Sequence, residues 1–418
     1  MPLDTLSVNA ADIDAAADRL AGRIIRTPLT YSERLSARFD AKVWFKREDL
    51  QQVRSYKGRG ATNFIAQLTE TQQRAGVVCA SAGNHAQGVA FACAQLGVSA
   101  RIYLPRTTPR QKRDRVAAIG GSLVEVVLGG DTYDTAAASA ALYADEAGMT
   151  LVPPFDHPRT IAGQGTMVRE IMQDMAEPPD IVVVPVGGGG LLAGASTYLH
   201  AHYPGVRIVG AEPTGAASMT AALAAGGPVL LAEIDNFVDG AAVRRVGKTN
   251  FPLVRAAGAE MVTVPEGRIC VEMLALYQTE GIVSEPAGAL ASAALEQLDI
   301  QPHQRVVCIL SGGNNDVLRY AEVMERALVH EGRKHYFLVN FPQEPGALRR
   351  FLDEVLGPDD DIALFEYAKR SNREIGPALV GIELGSPSDL GPLMDRMRSS
   401  SVDVEQIPPD SPMFRFIL

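Results

Sequence analysis

Between about residues 77 and 330, short apolar runs rich in β-branched residues alternate with stretches whose apolar positions recur at helical spacing. Gly76–Ala80 reads as a strand, His85–Leu96 as a helix ended by Gly97, and Ala100–Leu104 as the next strand. A helix over Pro109–Ile119 stops at Gly120-Gly121, a strand covers Leu123–Leu128, and an alanine-rich helix runs from Thr132 to Glu146 before Gly148. Ile181–Val186, Val206–Gly210 and Arg305–Leu310 are further strands, and a helical pattern opens at Leu191. Upstream lie a helix from about Ala11 to Leu20 and a strand over Lys42–Lys46. This rhythm predicts an α/β fold with two parallel-sheet subdomains, each sheet covered on both faces.

The pattern changes after Val329. His330–Lys334 is a short charged linker, followed by a strand over His335–Phe341 and a helix opened by Pro345-Gly346-Ala347-Leu348 and running to Leu356. Strands over Ile362–Tyr367 and Ala378–Leu384, a helix over Leu390–Met397 and a strand over Val402–Gln406 complete a β-α-β-β-α-β order, the ferredoxin-like α+β unit. The expected organisation is a catalytic domain over residues 1–329, with a smaller subdomain at roughly 55–152 inserted in the larger, a linker at 330–334, and an appended domain at 335–418. No catalytic cluster falls in that appended domain, so it reads as a binding or assembly module.

Composition narrows the partners. Lys plus Arg number 39 against 49 Asp plus Glu, a formal charge of −10 with no long basic run, which argues against nucleic acid or an anionic membrane surface. No stretch reaches the roughly 18 to 20 apolar residues needed to span a bilayer, and Met1-Pro2-Leu3-Asp4-Thr5 shows no signal-peptide character. Cys79, Cys93, Cys270 and Cys308 are scattered without a C-x-x-C pair, which favours reduced thiols and a cytoplasmic protein. The seven histidines lack metal-ligand spacing, so no metal is expected from them.

Four local motifs carry candidate chemistry. Gly187-Gly188-Gly189-Gly190 joins a buried strand to a helix, where residues without Cβ let successive N–H groups face one anion at the positive end of the helix dipole. No Gly-Lys-Ser/Thr follows and the spacing is not G-x-G-x-x-G, so a ligand with a single phosphate remains, beside the plainer reading of a tight turn. Ser55-Tyr56-Lys57-Gly58-Arg59-Gly60-Ala61 offers an amine, or merely a solvated lysine. Ser81-Ala82-Gly83-Asn84-His85 begins a helix and could hold a carboxylate, or simply cap it through Ser81 or Asn84. Leu310-Ser311-Gly312-Gly313-Asn314-Asn315 follows a strand, with a hydroxyl for a ligand or for a turn.

Taken in this order, the four motifs resemble the β-family of pyridoxal-phosphate enzymes (the tryptophan synthase β-like, fold type II group), most closely the serine/threonine dehydratases. The likeness runs from Thr27-Pro28-Leu29 to Asn315 and includes Lys46-Arg47-Glu48 and Ser284-Glu285-Pro286-Ala287-Gly288-Ala289. The C-terminal unit resembles the ACT-like regulatory domain of short biosynthetic members.

The resemblance implies that Lys57 anchors pyridoxal 5′-phosphate and then acts as base, and that Gly187, Gly188, Gly189, Gly190 and Leu191 cradle the phosphate. It implies that Asn84 bonds the 3′-oxygen, that Ser311 bonds the ring nitrogen, and that Ser81, Ala82, Gly83, Asn84 and His85 grip the substrate carboxylate. Ser81 and Glu285 join Lys57 as catalytic candidates, Glu285 through proton relay or as a helix-end acid, while His85 packs or caps rather than catalyses. The implied reaction is elimination from L-threonine, with L-serine a possible second substrate, giving 2-oxobutyrate and ammonia at the first step of isoleucine biosynthesis. Isoleucine feedback and a homotetramer are implied as well. Glu212-Pro213-Thr214-Gly215-Ala216-Ala217-Ser218 has Ser218 where metal-binding relatives carry Asp, so no metal site is expected. β-Replacement, racemisation and an amino-acid sensor built on the same pocket are the competing readings.

Overall fold

The computed structural model describes residues 7–367, 374–400, 402–409 and 411–417, so the first five residues read for a targeting signal lie outside the described part. The chain divides into two compact units, Met1–Glu266 with Ala275–Asn315, and Gly267–Leu274 with Asp316–Leu418.

The first unit contains two sheets. Six strands stand in the order Leu29–Tyr31, Lys42–Arg47, Arg305–Leu310, Ile181–Pro185, Arg207–Pro213 and Glu260–Val264. All pairs are parallel except the first, Leu29–Tyr31 against Lys42–Arg47. Every residue of Ile181–Pro185 is buried, as expected for a parallel strand with helices on both faces. The smaller sheet is wholly parallel in the order Val124–Leu128, Ala100–Leu104, Val77–Ala80 and Thr150–Leu151. Val77, Cys79, Val89, Cys93, Ile102 and Leu104 belong to its core. Predicted helix ends recur where glycine can take a left-handed conformation, at Gly97 and Gly148.

Two helices of this unit approach unusually closely. Helix Pro158–Asp174 packs on helix Gly190–His202, and a Cβ added at Gly194 would lie 2.5 Å from the Ile161 carbonyl and 2.7 Å from the Gly165 nitrogen. Only glycine allows that contact, which seats the helix leaving the tetraglycine turn against the sheet's cover.

In the second unit, four antiparallel strands run Asp361–Tyr367, Ile375–Glu383, Lys334–Pro342 and Asp403–Ile407 across the sheet. Helices Ala347–Val355 and Leu390–Ser399 cover one face, around Phe337, Val339, Phe351, Val380, Ile382 and Leu393. The predicted β-α-β-β-α-β order is observed.

Several limits differ from the periodicity. Val186 has left its strand, and the helix expected from Leu191 begins one residue earlier at Gly190. Helix Tyr320–His330 reaches into the expected linker and the next strand starts at Lys334, because Lys334 pairs with Glu383 across the sheet. The helix expected from Pro345 begins at Ala347, since Gly346 has φ +88° and cannot be its first turn.

Candidate active site

Lys57 is the first residue of helix Lys57–Ile65, which is buried from Gly58 onward. Its Nζ donates to the Pro154 carbonyl at 3.2 Å and stands 5.1 Å from the centre of the Tyr56 ring. The helix Asn84–Leu96 crosses close behind, where a Cβ on Gly88 would lie 3.0 Å from the Lys57 carbonyl group. Glycine at 88 therefore lets the two segments that carry Lys57 and Asn84 meet.

Opposite Lys57, Gly187–Gly190 and Leu191 line the same cleft, together with Tyr56, Phe155, Gly240 and Val243. Gly189 has φ +88°, a left-handed conformation that glycine takes without steric cost. A Cβ on Gly187 would meet Ala241 at 3.0 Å, and one on Gly188 would meet the Phe155 ring at 2.4 Å. The Gly188 carbonyl accepts from Gly247 N at 3.0 Å and from Asn250 Nδ2 at 2.7 Å, which turns the peptide's acceptor away and fixes the loop. The result is a cradle with no side chain of its own at the start of a 13-residue helix.

Asn84 lies at the start of its helix, whose cap position is Gly83 without a side-chain cap. The expected capping by Ser81 or Asn84 does not occur. Ser81 Oγ instead accepts from Gly83 N at 3.2 Å, a local turn bond, and Asn84 is drawn away to donate to Glu285 Oε1 at 2.6 Å. Asn314 Nδ2 donates both to Asn84 Oδ1 at 2.7 Å and to the Val53 backbone carbonyl at 2.8 Å. The first turn near Ala82, Gly83 and His85 thus presents backbone to any ligand rather than a capping side chain.

His85 is buried, with Nε2 2.9 Å from the Val152 carbonyl. Burial, joined by the Lys57 charge, pushes its imidazole down to about 3, so the ring is neutral and donates to that carbonyl. Burial raises Glu285 up to about 7, helped by the charge of Asp239 and opposed by the Asn84 hydrogen bond. A buried carboxyl poised near neutrality can hold or release a proton.

Ser311 is buried and its Oγ donates to the Ala287 carbonyl at 3.1 Å. Its own carbonyl accepts from Tyr56 N at 3.1 Å, and Ser55 bridges to Gly312, which places the Ser311 turn beside the loop leading to Lys57. To bond a ring nitrogen, the hydroxyl would turn from Ala287, a rotation that costs one neutral hydrogen bond.

Sequence reasoning missed Pro154, Phe155 and Asn250, and it quoted Asn314 within a motif without a role of its own. Asn250 meets Gly188 62 positions away and Asn314 meets Asn84 230 positions away, so no local spacing announces these contacts. Glu212 accepts from Met219 N, Thr220 N and Thr220 Oγ1 at 2.6 to 2.9 Å, binding its own loop. Among the described residues no three His, Cys, Asp or Glu side chains converge, and no helix is long and apolar enough to cross a membrane.

Comparison with known proteins gives the family. Residues 20–312 match the family model described as pyridoxal-phosphate dependent enzyme, and residues 325–417 match the C-terminal regulatory domain of threonine dehydratase. The chain is 58% identical to the biosynthetic L-threonine dehydratase IlvA of Mycobacterium tuberculosis over 99% of its own length and 96% of that protein. It is 48% identical to the Bacillus subtilis protein of the same name, over 94% of each. Among solved structures, the processed form of threonine deaminase isoform 2 from Solanum lycopersicum superposes with a TM-score of 0.71 at 39% identity, covering 76% of this chain and 92% of that one. The chain belongs to the pyridoxal-phosphate-dependent enzymes, in the branch formed by the biosynthetic threonine dehydratases.

Proposed function

We propose that this protein is a threonine ammonia-lyase that converts L-threonine to 2-oxobutyrate and ammonia at the first step of isoleucine biosynthesis. The observation that carries the reading is the single cleft holding both Lys57 and the Gly187–Leu191 loop. The family's cofactor, pyridoxal 5′-phosphate, fits it. One wall is a side-chain-free anion cradle that a Cβ at Gly188 would fill, and the other offers a primary amine.

When bound, the cofactor supplies an electron-withdrawing ring that makes the substrate Cα–H acidic. Gly187, Gly188, Gly189, Gly190 and Leu191 would hold its phosphate through backbone N–H groups. Asn84 would hold its 3′-oxygen and Ser311 its ring nitrogen, a neutral hydroxyl that leaves the nitrogen without a full positive charge. Lys57 would hold the cofactor through its amine, and as a free amine would accept the Cα proton. The substrate carboxylate is held at the free start of helix Asn84–Leu96, by the 81–85 segment. Glu285, as the carboxylate, accepts from Asn84 Nδ2 and holds that side chain in place. Loss of the β-hydroxyl as water and hydrolysis of the remaining carbon–nitrogen bond yield the keto acid and ammonia. L-Serine, shorter by one methyl, would follow the same route to pyruvate.

Isoleucine is the proposed effector and the second unit its receptor. That unit has a cavity of about 420 Å³ beside the turn at Gly346, walled by Phe341, Leu348, Leu352, Phe365 and Tyr367, with Arg349 and Glu344 at its polar side. The size and apolar walls suit a branched amino acid. We place the enzyme in the cytoplasm as a homotetramer; its four cysteines are all free and buried.

The experiment is the visible spectrum of the purified protein with and without threonine, while 2-oxobutyrate is assayed. A yellow band lost in Lys57→Ala, with keto-acid release by the intact protein, is expected. A band without keto acid would favour β-replacement or sensing, and no band in cofactor-supplied protein would overturn the assignment.

A further inference from the structure

The helix that begins with Lys57 is poorly made for holding a reactive amine still. Its first turn contains Gly58 and Gly60, it has no side-chain cap, and glycine is a poor helix former because of the backbone freedom it gives up. Packing explains Gly60, since a Cβ there would lie 2.3 Å from Gln164 Nε2. Something else must fasten the turn.

Arg59, two residues beyond Lys57, is 1% exposed and uses its whole guanidinium fork. Nε and Nη2 donate to the two carboxylate oxygens of Glu48 at 2.9 and 2.8 Å. Nη1 and Nη2 donate to the two oxygens of Glu170 at 2.7 and 2.8 Å, and Nη1 reaches Thr166 Oγ1 at 3.2 Å. Glu48 is steadied by Thr27 Oγ1 at 2.5 Å and Gln51 Nε2 at 3.2 Å. Glu170 is steadied by the fully buried Lys46 at 2.8 Å. Lys46 also lies 3.8 Å from Asp174, which pairs with Arg26, so three cations face three carboxylates. Burial alone would raise the Glu48 carboxyl, but the charge and hydrogen bonds of Arg59 outweigh it and hold it below the ordinary range.

A buried ion cluster is weak evidence for stability, because well-packed apolar residues of similar volume often serve as well. What this one does that apolar residues would not is fix direction. It joins the turn after Lys57 to the end of strand Lys42–Arg47 through Glu48, and to helix Pro158–Asp174 through Glu170. The Pro154 carbonyl that receives Lys57 Nζ lies four residues before that helix.

We infer that Arg59 is a positioning residue for Lys57, its doubly bidentate clamp on Glu48 and Glu170 holding the glycine-weakened first turn so that the amine faces the cradle. This rests on the reading of Lys57 as the cofactor-bearing amine. Lysine at 59 would keep the charge but lose the planar fork. A misplacement of about 1 Å at a reacting group costs on the order of a hundredfold.

The test compares wild type, Arg59→Lys and Lys57→Ala as holoenzymes. For Arg59→Lys the expected result is kcat per bound cofactor lowered ten- to hundredfold, KM for threonine within twofold, and a shifted visible band. Pyridoxal phosphate should also enter the apoenzyme correspondingly more slowly, a readout independent of turnover. A lowered melting temperature with kcat per bound cofactor, band and incorporation rate all within twofold of wild type would reduce Arg59 to a structural charge and overturn the inference. If Arg59→Lys does not fold, Glu170→Gln and Thr166→Val each loosen one arm while both Glu48 bonds remain. They should lower kcat per bound cofactor and slow incorporation three- to tenfold, and unchanged values in both would overturn the inference equally. A band that survives in Lys57→Ala would instead remove the underlying reading of Lys57.

Discussion

Replacing Gly188 by alanine should disable cofactor binding while leaving a folded protein. The added Cβ would lie 2.4 Å from Phe155 Cγ and 2.5 Å from both Cδ atoms, against about 3.5–4.0 Å for unstrained carbon contacts. More than an ångström must be found. The loop cannot easily supply it, because the Gly188 carbonyl is held from behind by Gly247 N and Asn250 Nδ2. Phe155 cannot supply it freely either. Its backbone carbonyl would lie only 2.8 Å from a Cβ on Gly190, and its chain neighbour Pro154 carries the acceptor for Lys57. Any relief therefore moves a wall of the cleft by about the distance that separates a formed site from a broken one.

Overpacking of this kind costs about 1–3 kcal/mol, which is roughly a 5- to 150-fold weakening if it falls on the cofactor-bound state. The assay is titration of apoenzyme with pyridoxal phosphate, followed by the visible band, with thermal melting of the apo form alongside. Gly205→Ala is the control, since nothing lies within 4 Å of its added Cβ and no left-handed φ is involved; it should change stability by less than about 0.5 kcal/mol. An affinity for Gly188→Ala within twofold of wild type would refute the claim that this loop and Phe155 form the cradle.

Two further predictions concern pH. Because Glu285 is pushed up to about 7 by burial and Asp239, kcat/KM should fall on the acid side of about 7 as the carboxylate holding Asn84 is protonated, and Glu285→Gln should remove that limb; a limb unchanged in the variant would exclude Glu285 as its source. His85 is depressed to about 3 in the folded chain against about 6.5 when unfolded, so below 6.5 the unfolded state takes up a proton that the folded state refuses. Stability is present above 6.5 and lost as pH falls toward 3, by about 2 kcal/mol at pH 5. The difference in urea unfolding energy between wild type and His85→Gln should shrink by that amount from pH 7 to pH 5, and a difference constant with pH would count against a buried neutral ring.

How much of this was visible in the chain follows from where the partners of each residue sit. Ile181–Pro185 and Arg305–Leu310 could be read as strands because all but one of their residues are buried by contacts on both faces, and burial leaves an apolar run in the sequence. The tetraglycine turn was legible for a related reason, since a backbone that must approach its ligand and turn left-handed at Gly189 leaves glycine as its record. The helix Lys57–Ile65 left no such record. It is buried from Gly58 to Ile65, yet Arg59, Thr62 and Asn63 are polar, which hides any apolar stripe from a periodicity argument. Those polar groups are tolerated inside because their partners arrive from afar: Glu170 is 111 positions from Arg59, and Asn63 donates to the Arg159 carbonyl 96 positions away. The same is true of Asn84, which donates to Glu285, 201 positions distant, and does not cap its helix. Local pattern records what a segment excludes from water, whereas the pairing of buried polar groups is decided by the fold as a whole. Arg59, Glu48 and Glu285 stand in motifs read from the sequence, but which buried group each of them or Glu170 pairs with is of the second kind. A reading confined to motifs therefore finds such residues sooner than it finds their partners.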